Sequence, residues 1–440
     1  MGASRRRRAC YHPLAALRIE PAPSFHGHLR LPGDKSISHR AALFGALAEG
    51  TTRARNYSSA ADCESTLHCL RALGVTVHRK GSLVTIEGRG PEAWTPPQDP
   101  LDAGNSGTTL RLLSGALAGR PFRTVLTGDE SLRRRPVERV AAPLRAMGAT
   151  AITTDGHPPL TIEGGGLRGL TWEMPIASAQ VKTAVLLAGL QAEGTTTVRE
   201  PAPSREHTER MLPLFGVEVE RDGLAATVRG GARLRGAEIA VPGDASSAAF
   251  LVVAALVLPD SEVRLDGVLL SPTRTAFLEV LRAMGGRVET RLETTDPEPV
   301  GSIVAASSTL HGTTVDPALV ASLIDEVPAL AVAACRAQGT FTLTGARELR
   351  VKESDRIAAI TEGLGRLGAR VRELPDGIAV EGGARLQGAA VRSRGDHRIA
   401  MALAVAALAA EGPTEIEGAE CVDVSFPEFF GLLEEGAGRG

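Results

Sequence analysis

The chain has 440 residues, of which 43% are hydrophobic, 23% charged and only 3% aromatic. That length exceeds one ordinary core and implies two or three domains with a mainly aliphatic interior. A formal net charge of −2 gives no bulk attraction to nucleic acid or an anionic membrane, and the longest apolar runs, 248–258 and 399–410, fall short of the ~20 residues that span a bilayer.

The first stretch, MGASRRRRACYHP, has a basic tract with no apolar run behind it, so it does not read as a secretory signal. Arg6 removes the hydroxyl that a myristoylation signal needs. Residues 1–13 are expected to form a mobile basic tail, or to mark a mis-set start. Cys10, Cys63, Cys69, Cys335 and Cys421 make no CxxC pair, which suits reduced thiols in a cytoplasmic protein.

From Lys35 the chain reads KSISHRAALFGALAEG, a short polar opening followed by a helix apolar on every side. The same design returns as NSGTTLRLLSGALAG from Asn105, SAQVKTAVLLAGLQAEG from Ser178, GDASSAAFLVVAALV from Gly243, DEVPALAVAACRAQG from Asp325 and DHRIAMALAVAALAAEG from Asp396. Counted from Lys35, Asn105, Ser178, Asp244, Asp325 and Asp396, the steps are 70, 73, 66, 81 and 71 residues. Between these runs a second element recurs, as LRALGVTV (70–77), LRAMGATAI (144–152), LPLFGVEVE (212–220), LRAMGGRVE (281–289) and LGRLGARVRE (364–373). It predicts an amphipathic helix, a glycine that ends it in the left-handed conformation, and an alternating strand. A last copy, FPEFFGLLEEG, spans 426–436. Six units of about 70 residues follow. Their apolar helices need burial all round, so two clusters of three, wrapped by sheets and outer helices, give an α/β chain of two domains.

Buried helices that open on charges make sense at an anion site. A helix N-terminus carries unpaired N–H groups and about half a positive charge. Several such ends aimed at one cleft, with basic residues beside them, would trap anions. Lys35, Ser36 and Arg40 suit that role, although PGDKSISHR breaks the P-loop pattern at Asp34. Asp244 and Ser246 read as caps alone, since no basic residue is near them in the sequence. LDAGNSGTTLR sets Asn105 and Gly107 in a turn that admits close backbone approach. TGDESLRRRP puts Arg133, Arg134 and Arg135 before Pro136, either as a solvated basic loop or with a single arginine aimed at a phosphate or carboxylate. LRVKESDRI is the densest cluster: on a helix, Lys352 and Arg356 would share a face, which is costly unless an anion lies between them. Glu353 and Asp325 are the candidate proton-transfer carboxylates. No metal-binding pattern and no dinucleotide fingerprint is present.

Taken together, PGDKSISHR, GNSGTTLR, RRP (134–136), SAQVK (178–182), SREHTE (204–209), IDEVP (324–328), RVKESDR (350–356) and GDHRIAMA (395–402) resemble the EPSP synthase (3-phosphoshikimate 1-carboxyvinyltransferase) family, in order from about residue 15 to 435. The resemblance implies a two-domain enolpyruvyl transferase fold with six repeated units of helices and short strands, three per domain around buried central helices. Residues 14–32 plus 243–440 would form the first domain and 33–242 the second, with crossovers near Pro32–Asp34 and Val241–Asp244 and the site in the cleft. It implies transfer of the enolpyruvyl group of phosphoenolpyruvate to the 5-hydroxyl of shikimate 3-phosphate, in aromatic amino acid biosynthesis. No phosphoryl group moves, so neither metal nor cofactor is implied. The partners are those two small molecules, and the enzyme would be monomeric and cytoplasmic.

Residue by residue, the resemblance gives Lys35, Ser36, Arg40, Ser178, Ala179, Gln180, Arg205, Asp325 and Lys352 to shikimate 3-phosphate. It gives Lys35, Gly107, Arg135, Gln180, Arg356 and Arg398 to phosphoenolpyruvate. Asp325 matches the base for the 5-hydroxyl, Glu353 with Lys35 the group that handles the methylene proton, and Asn105 and His397 support them. Ala179, Glu348 and Val424 depart from the pattern of many members. Gly107 leaves room for the bulkier inhibitor glyphosate, which implies sensitivity. The rivals are UDP-N-acetylglucosamine enolpyruvyl transferase and a non-catalytic anion-binding protein of the same fold. The first usually has Lys-Asn in place of Lys35-Ser36 and a cysteine in the loop 128–136, which has none here.

Overall fold

The computed structural model describes residues 16–439; the basic tail expected at 1–13 lies outside them. Six apolar helices stand at the centre: α1 (Lys35–Leu47), α2 (Gly107–Leu117), α3 (Ala179–Gly189), α4 (Ala245–Val257), α5 (Val327–Arg336) and α6 (His397–Leu408). Every residue of α4 and α6 is buried. Helix α2 packs on α1 and α3, while α4, α5 and α6 pack against one another. Five of the six start where a short polar side chain accepts from a first-turn N–H: Asp34, Ser106, Ser178, Asp244 and Asp396. Helix α5 instead has Pro328 in its first turn, and Glu326 makes no side-chain cap.

The recurrent second element takes its expected form in four copies. The helices Ala61–Ala72, Glu138–Ala146, Pro272–Ala283 and Arg356–Arg366 are followed by Gly74, Gly148, Gly285 and Gly368, each at positive φ, and then by a strand. The copy at 212–220 differs. Pro213 lacks an N–H and cannot extend the preceding helix, His207–Met211, so Leu212–Phe215 tightens into a 3-10 turn before Gly216.

Six small sheets cover the helices, and four share one design, a parallel pair extended by two antiparallel strands. In one, Leu101–Asp102 runs parallel to Arg123–Thr127, which pairs with His157–Glu163 and then Thr150–Thr154. Each sheet draws its strands either from 49–240, or from 17–29 together with 262–417. Strand His26–Leu29 lies parallel to Glu262–Leu269, and Leu17–Ile19 lies antiparallel to Thr414–Glu417. Between the two sets the chain passes through residues 32–34 and 242–244, which run side by side: the Asp34 N–H donates to Pro242 O (2.7 Å) and the Asp244 N–H to Pro32 O (3.1 Å).

The central helices approach closely where glycine allows it. A Cβ on Gly115 of α2 would lie 2.1 Å from the carbonyl oxygen of Ala184 in α3. That neighbour is backbone and cannot swing aside. Gly115→Ala is therefore expected to push the two helices apart and to cost about 1–3 kcal/mol, read as a lower urea midpoint with helical circular dichroism retained.

Candidate active site

The N-termini of α1, α2, α3 and α6 open on one cavity of about 500 Å³. Helix α1 contributes Lys35 and Ser36; α2 contributes Gly107, Thr108 and Arg111; the start of α3 contributes Ser178, Ala179 and Gln180; α6 contributes His397 and Arg398. Asp325, from the turn before α5, faces them together with Lys352, Glu353 and Arg356, and loops add Arg135 and Arg205. Fourteen of the sixteen residues singled out in the sequence thus line one cavity.

Arg40 and Asn105 stand behind the lining. Arg40 is buried within α1, where its guanidinium donates to Thr208 Oγ1 (2.9 Å), Thr183 Oγ1 (2.7 Å) and Ser36 O (3.0 Å), and burial lowers its pKa to about 10. The cavity face of α1 is thereby tied to α3. Asn105 accepts from Arg135 Nη2 at 2.6 Å while donating to Asp129, which orients the arginine.

Lys352 and Arg356 do not share a helix face. Asp355 caps the helix Arg356–Arg366 by accepting from the Ala358 N–H, so 352–355 lies outside the helix, after the 3-10 turn Arg347–Val351. The anion required between the two cations is nevertheless present, supplied by the protein. Asp325 Oδ1 accepts from Lys352 Nζ (3.3 Å) and Arg356 Nη1 (3.2 Å), and Asp325 Oδ2 accepts from Arg205 Nη2 (2.6 Å). Glu353 takes Arg356 Nη2 on Oε2 (2.6 Å) and Arg135 Nη1 on Oε1 (3.2 Å).

These neighbours set the proton affinities. Burial opposes ionisation of Asp325, but Lys352, Arg398, Arg205 and Arg356 outweigh it and hold the carboxyl well below the usual range. Glu353 is likewise held well below its usual value against burial, chiefly by Arg356 and Arg135. Burial also works against the Lys35 ammonium, yet Asp62, 2.8 Å away, raises its pKa above the ordinary lysine value. Burial, then Lys35, pushes His397 well below the usual histidine range, so it is neutral at neutral pH and suited to support rather than to carry charge.

Three features of the wall were not singled out in the sequence. Arg111 donates to Gln180 Oε1 (2.9 Å) and Pro136 O (3.0 Å), with a pKa lowered to about 9 by burial and by Arg139 and Arg135. Its spacing of four from Gly107 on one helix was a readable signal. Asp62, and Arg139, which pairs at 3.3 Å with the Glu348 already noted as a departure, come from distant segments and left none. A second, larger cavity of about 670 Å³ lies at 241–243, but its wall is mostly apolar and holds no cluster of cations. Among the described residues, no group of three or more His, Cys, Asp or Glu side chains is placed to hold a metal.

Comparison with known proteins bears on this arrangement. The family model of EPSP synthase (3-phosphoshikimate 1-carboxyvinyltransferase) matches residues 19–433. The 3-phosphoshikimate 1-carboxyvinyltransferase of Brevibacillus brevis is 49% identical, covering 95% of this chain and 99% of its own. That of Halorhodospira halophila is 52% identical, covering 94% and 95%. The chain belongs to the EPSP synthase family. A solved EPSP synthase from Acinetobacter baumannii superposes with a TM-score of 0.85 at 44% identity, over 95% of this chain and 97% of that one. The two-domain enolpyruvyl transferase fold, with three units around three buried helices in each domain, is therefore the fold of this chain.

The three departures from the EPSP synthase pattern fall in different places. Ala179 lines the cavity as the first residue of α3, Glu348 lines it while paired to Arg139, and Val424 ends the 3-10 turn Ala419–Val424 away from the lining.

The depressed carboxylates make stability depend on pH. Asp325 binds its proton less tightly folded than unfolded, so its contribution is present above the unfolded value of about 4 and is lost as the pH falls through the folded one. Asp325→Asn should lower the melting temperature at neutral pH. The gap to the wild type should then narrow as the pH falls below about 5 and close only below the depressed folded value, as thermal denaturation would record.

Proposed function

We propose that this chain transfers the enolpyruvyl group of phosphoenolpyruvate to the 5-hydroxyl of shikimate 3-phosphate and releases phosphate, a step of aromatic amino acid (chorismate) biosynthesis. One observation carries the reading beyond family membership. Eight cationic side chains line the cavity against four carboxylates, and two of these, Asp325 and Glu353, are held ionised among the cations. An excess of four positive charges suits the two phosphates and two carboxylates that the substrates bring. Carboxylates beside the cations also weaken anion binding, so two of them there suit proton transfer better than binding alone.

The proposed roles are those that the family resemblance implies. Arg205, with Ser178 and Ser36 beside it, takes the phosphate of shikimate 3-phosphate, with Ala179 and Gln180 along the same wall and Lys352 on the ring. Arg135, Arg356 and Arg398 clamp phosphoenolpyruvate, with Gly107 packed beside it, and Lys35 reaches both ligands. Arg40 acts from behind by holding Ser36. Asp325 accepts the 5-hydroxyl proton as that oxygen attacks C2 of phosphoenolpyruvate. The Lys35 ammonium, beside Glu353, delivers a proton to the methylene carbon, which gives a tetrahedral intermediate. Loss of phosphate with C–O cleavage and transfer of a methyl proton to the Glu353 carboxylate then completes the transfer. Arg205 donates to Asp325 Oδ2 at 2.6 Å. Once the phosphate draws Arg205 away, Asp325 becomes more basic as the hydroxyl arrives.

The proposal places residues 14–32 and 243–440 in one domain and 33–242 in the other, in keeping with sheets that never mix the two sets. It also makes the enzyme a cytoplasmic monomer. No single described helix is long and apolar enough to cross a membrane.

Phosphate release with each substrate omitted in turn, and no metal added, tests the reaction. Release should require both substrates, and Asp325→Asn and Glu353→Gln should each lower kcat by roughly 10²–10⁴-fold. Turnover with UDP-N-acetylglucosamine instead would move the chain to the sister activity.

Glyphosate should compete with phosphoenolpyruvate. A Cβ at Gly107 would lie 2.5 Å from Arg111 Nη1, the end of a flexible side chain, so Gly107→Ala should fold but displace that guanidinium. The variant should show weaker glyphosate inhibition and a higher KM for phosphoenolpyruvate. Normal wild-type turnover at glyphosate far above phosphoenolpyruvate would sink this expectation.

A further inference from the structure

Asp244 and Ser246, expected to be plain helix caps, meet a cation that arrives from thirty residues further on. Arg274, in the first turn of the helix Pro272–Ala283, is only 2% exposed. Its Nη1 donates to Asp34 Oδ2 at 2.5 Å, and its Nη2 to Asp244 Oδ1 at 3.2 Å and Ser246 Oγ at 2.9 Å. Each carboxylate it joins has another duty. Asp34 Oδ1 caps α1 by accepting from the Ile37 N–H (2.8 Å). Asp244 Oδ1 caps α4 by accepting from the Ser246 and Ser247 N–H groups, while Asp244 Oδ2 accepts from the backbone N–H of Lys35 at 2.9 Å.

The contacts close a ring. It runs from Arg274 through Asp244 to the first amide of α1, along the first turn to Asp34, and back to Arg274. The ring spans both segments that connect the two sets of sheets. Arg274 is not in the cavity wall, whereas Lys35 is.

We infer that Arg274 is a positioning residue for Lys35: by holding Asp34 and Asp244 together it fixes the first turn of α1, and with it the place of the Lys35 ammonium in the cleft. This rests on the reading of the cleft given above. Without the guanidinium, two buried carboxylates would repel across a low dielectric. Asp244 could then relax only by pulling on the amide it holds. Lysine is a poor substitute, because one ammonium on a flexible stem does not reproduce a planar fork that serves three acceptors.

Three variants of the full chain test the inference: Arg274→Met, Arg274→Lys, and Asp34→Asn combined with Arg274→Met. The double variant keeps the net buried charge of the wild type, and asparagine still caps α1, so it remains informative even if Arg274→Met alone does not fold. Melting temperature, kcat and KM for both substrates, and hydrogen–deuterium exchange of peptides covering 33–38 and 243–248 are measured. The double variant is expected to recover melting temperature while kcat/KM stays lower by roughly 10²-fold, the effect of a misplacement of about 1 Å. Exchange should quicken in those two peptides and not elsewhere, and Arg274→Lys should recover little activity. Recovery of kcat/KM together with stability, in either the double or the lysine variant, would show that Arg274 only balances charge and would overturn the inference. Unchanged exchange at Lys35 would overturn it too. A wild type that fails to turn over both substrates counts against the reading of the cleft, while the exchange comparison still decides whether Arg274 holds α1.

Discussion

The central helices have no polar side, and that one constraint organises the rest. A helix buried all round can meet solvent or ligand only at its ends. Its N-terminal end carries unpaired amides and a partial positive charge. Packing α1, α2 and α3 on one side and α4, α5 and α6 on the other leaves four such ends facing one cavity. The location of anion binding is therefore decided by core packing before any basic side chain is added. The sheets and the amphipathic helices are what the buried helices need around them.

Cations gathered at those ends repel one another, and the protein answers with its own carboxylates. Asp325 sits between Lys352, Arg356 and Arg205; Glu353 bridges Arg356 and Arg135; Asp62 holds Lys35; Asp396 holds the Arg356 Nε at 2.8 Å. The proposed reaction places two conflicting demands on Asp325 and Glu353. As counterions they are best fully ionised; as proton carriers they need some basicity. In the proposed reaction, anionic substrates would resolve the conflict by replacing the carboxylates as partners of the cations. The cleft thus sets out, with its own side chains, a charge pattern that anionic substrates would complete.

Sequence made the repeats and the caps legible because each depends on neighbours in the chain; most of the cavity wall was legible through the family resemblance. A polar cap before an apolar run, or a glycine after an amphipathic helix, is a local signal, and Asp34, Ser106, Gly74 and Gly368 behave accordingly. Local reasoning misled where a side chain competed with the backbone. Asp355 interrupts the helix that the spacing of Lys352 and Arg356 suggests, and Pro213 turns one amphipathic copy into a 3-10 turn. It was blind where partners are far apart. Arg274 reaches Asp34 across 240 residues, and Arg40 turns away from the cavity toward Thr183 and Thr208.

The strand pairing also governs the order in which the molecule can be built. Leu17–Ile19 is among the first described segments to leave the ribosome, yet its partner is Thr414–Glu417, with Leu17 set against Ile416. At ~5–20 residues per second that partner emerges roughly 20–80 s later. Strand His26–Leu29 likewise waits for Glu262–Leu269. The stretch 49–240 finds every strand partner within itself and can close while the rest is still being made. Leu17–Ile19 thus remains an unpaired edge until synthesis is almost complete, and His26–Leu29 until residues 262–269 are made. Such edges are exposed to other chains for that whole interval, so a nascent chain of this design depends more on protection at its start than at its end.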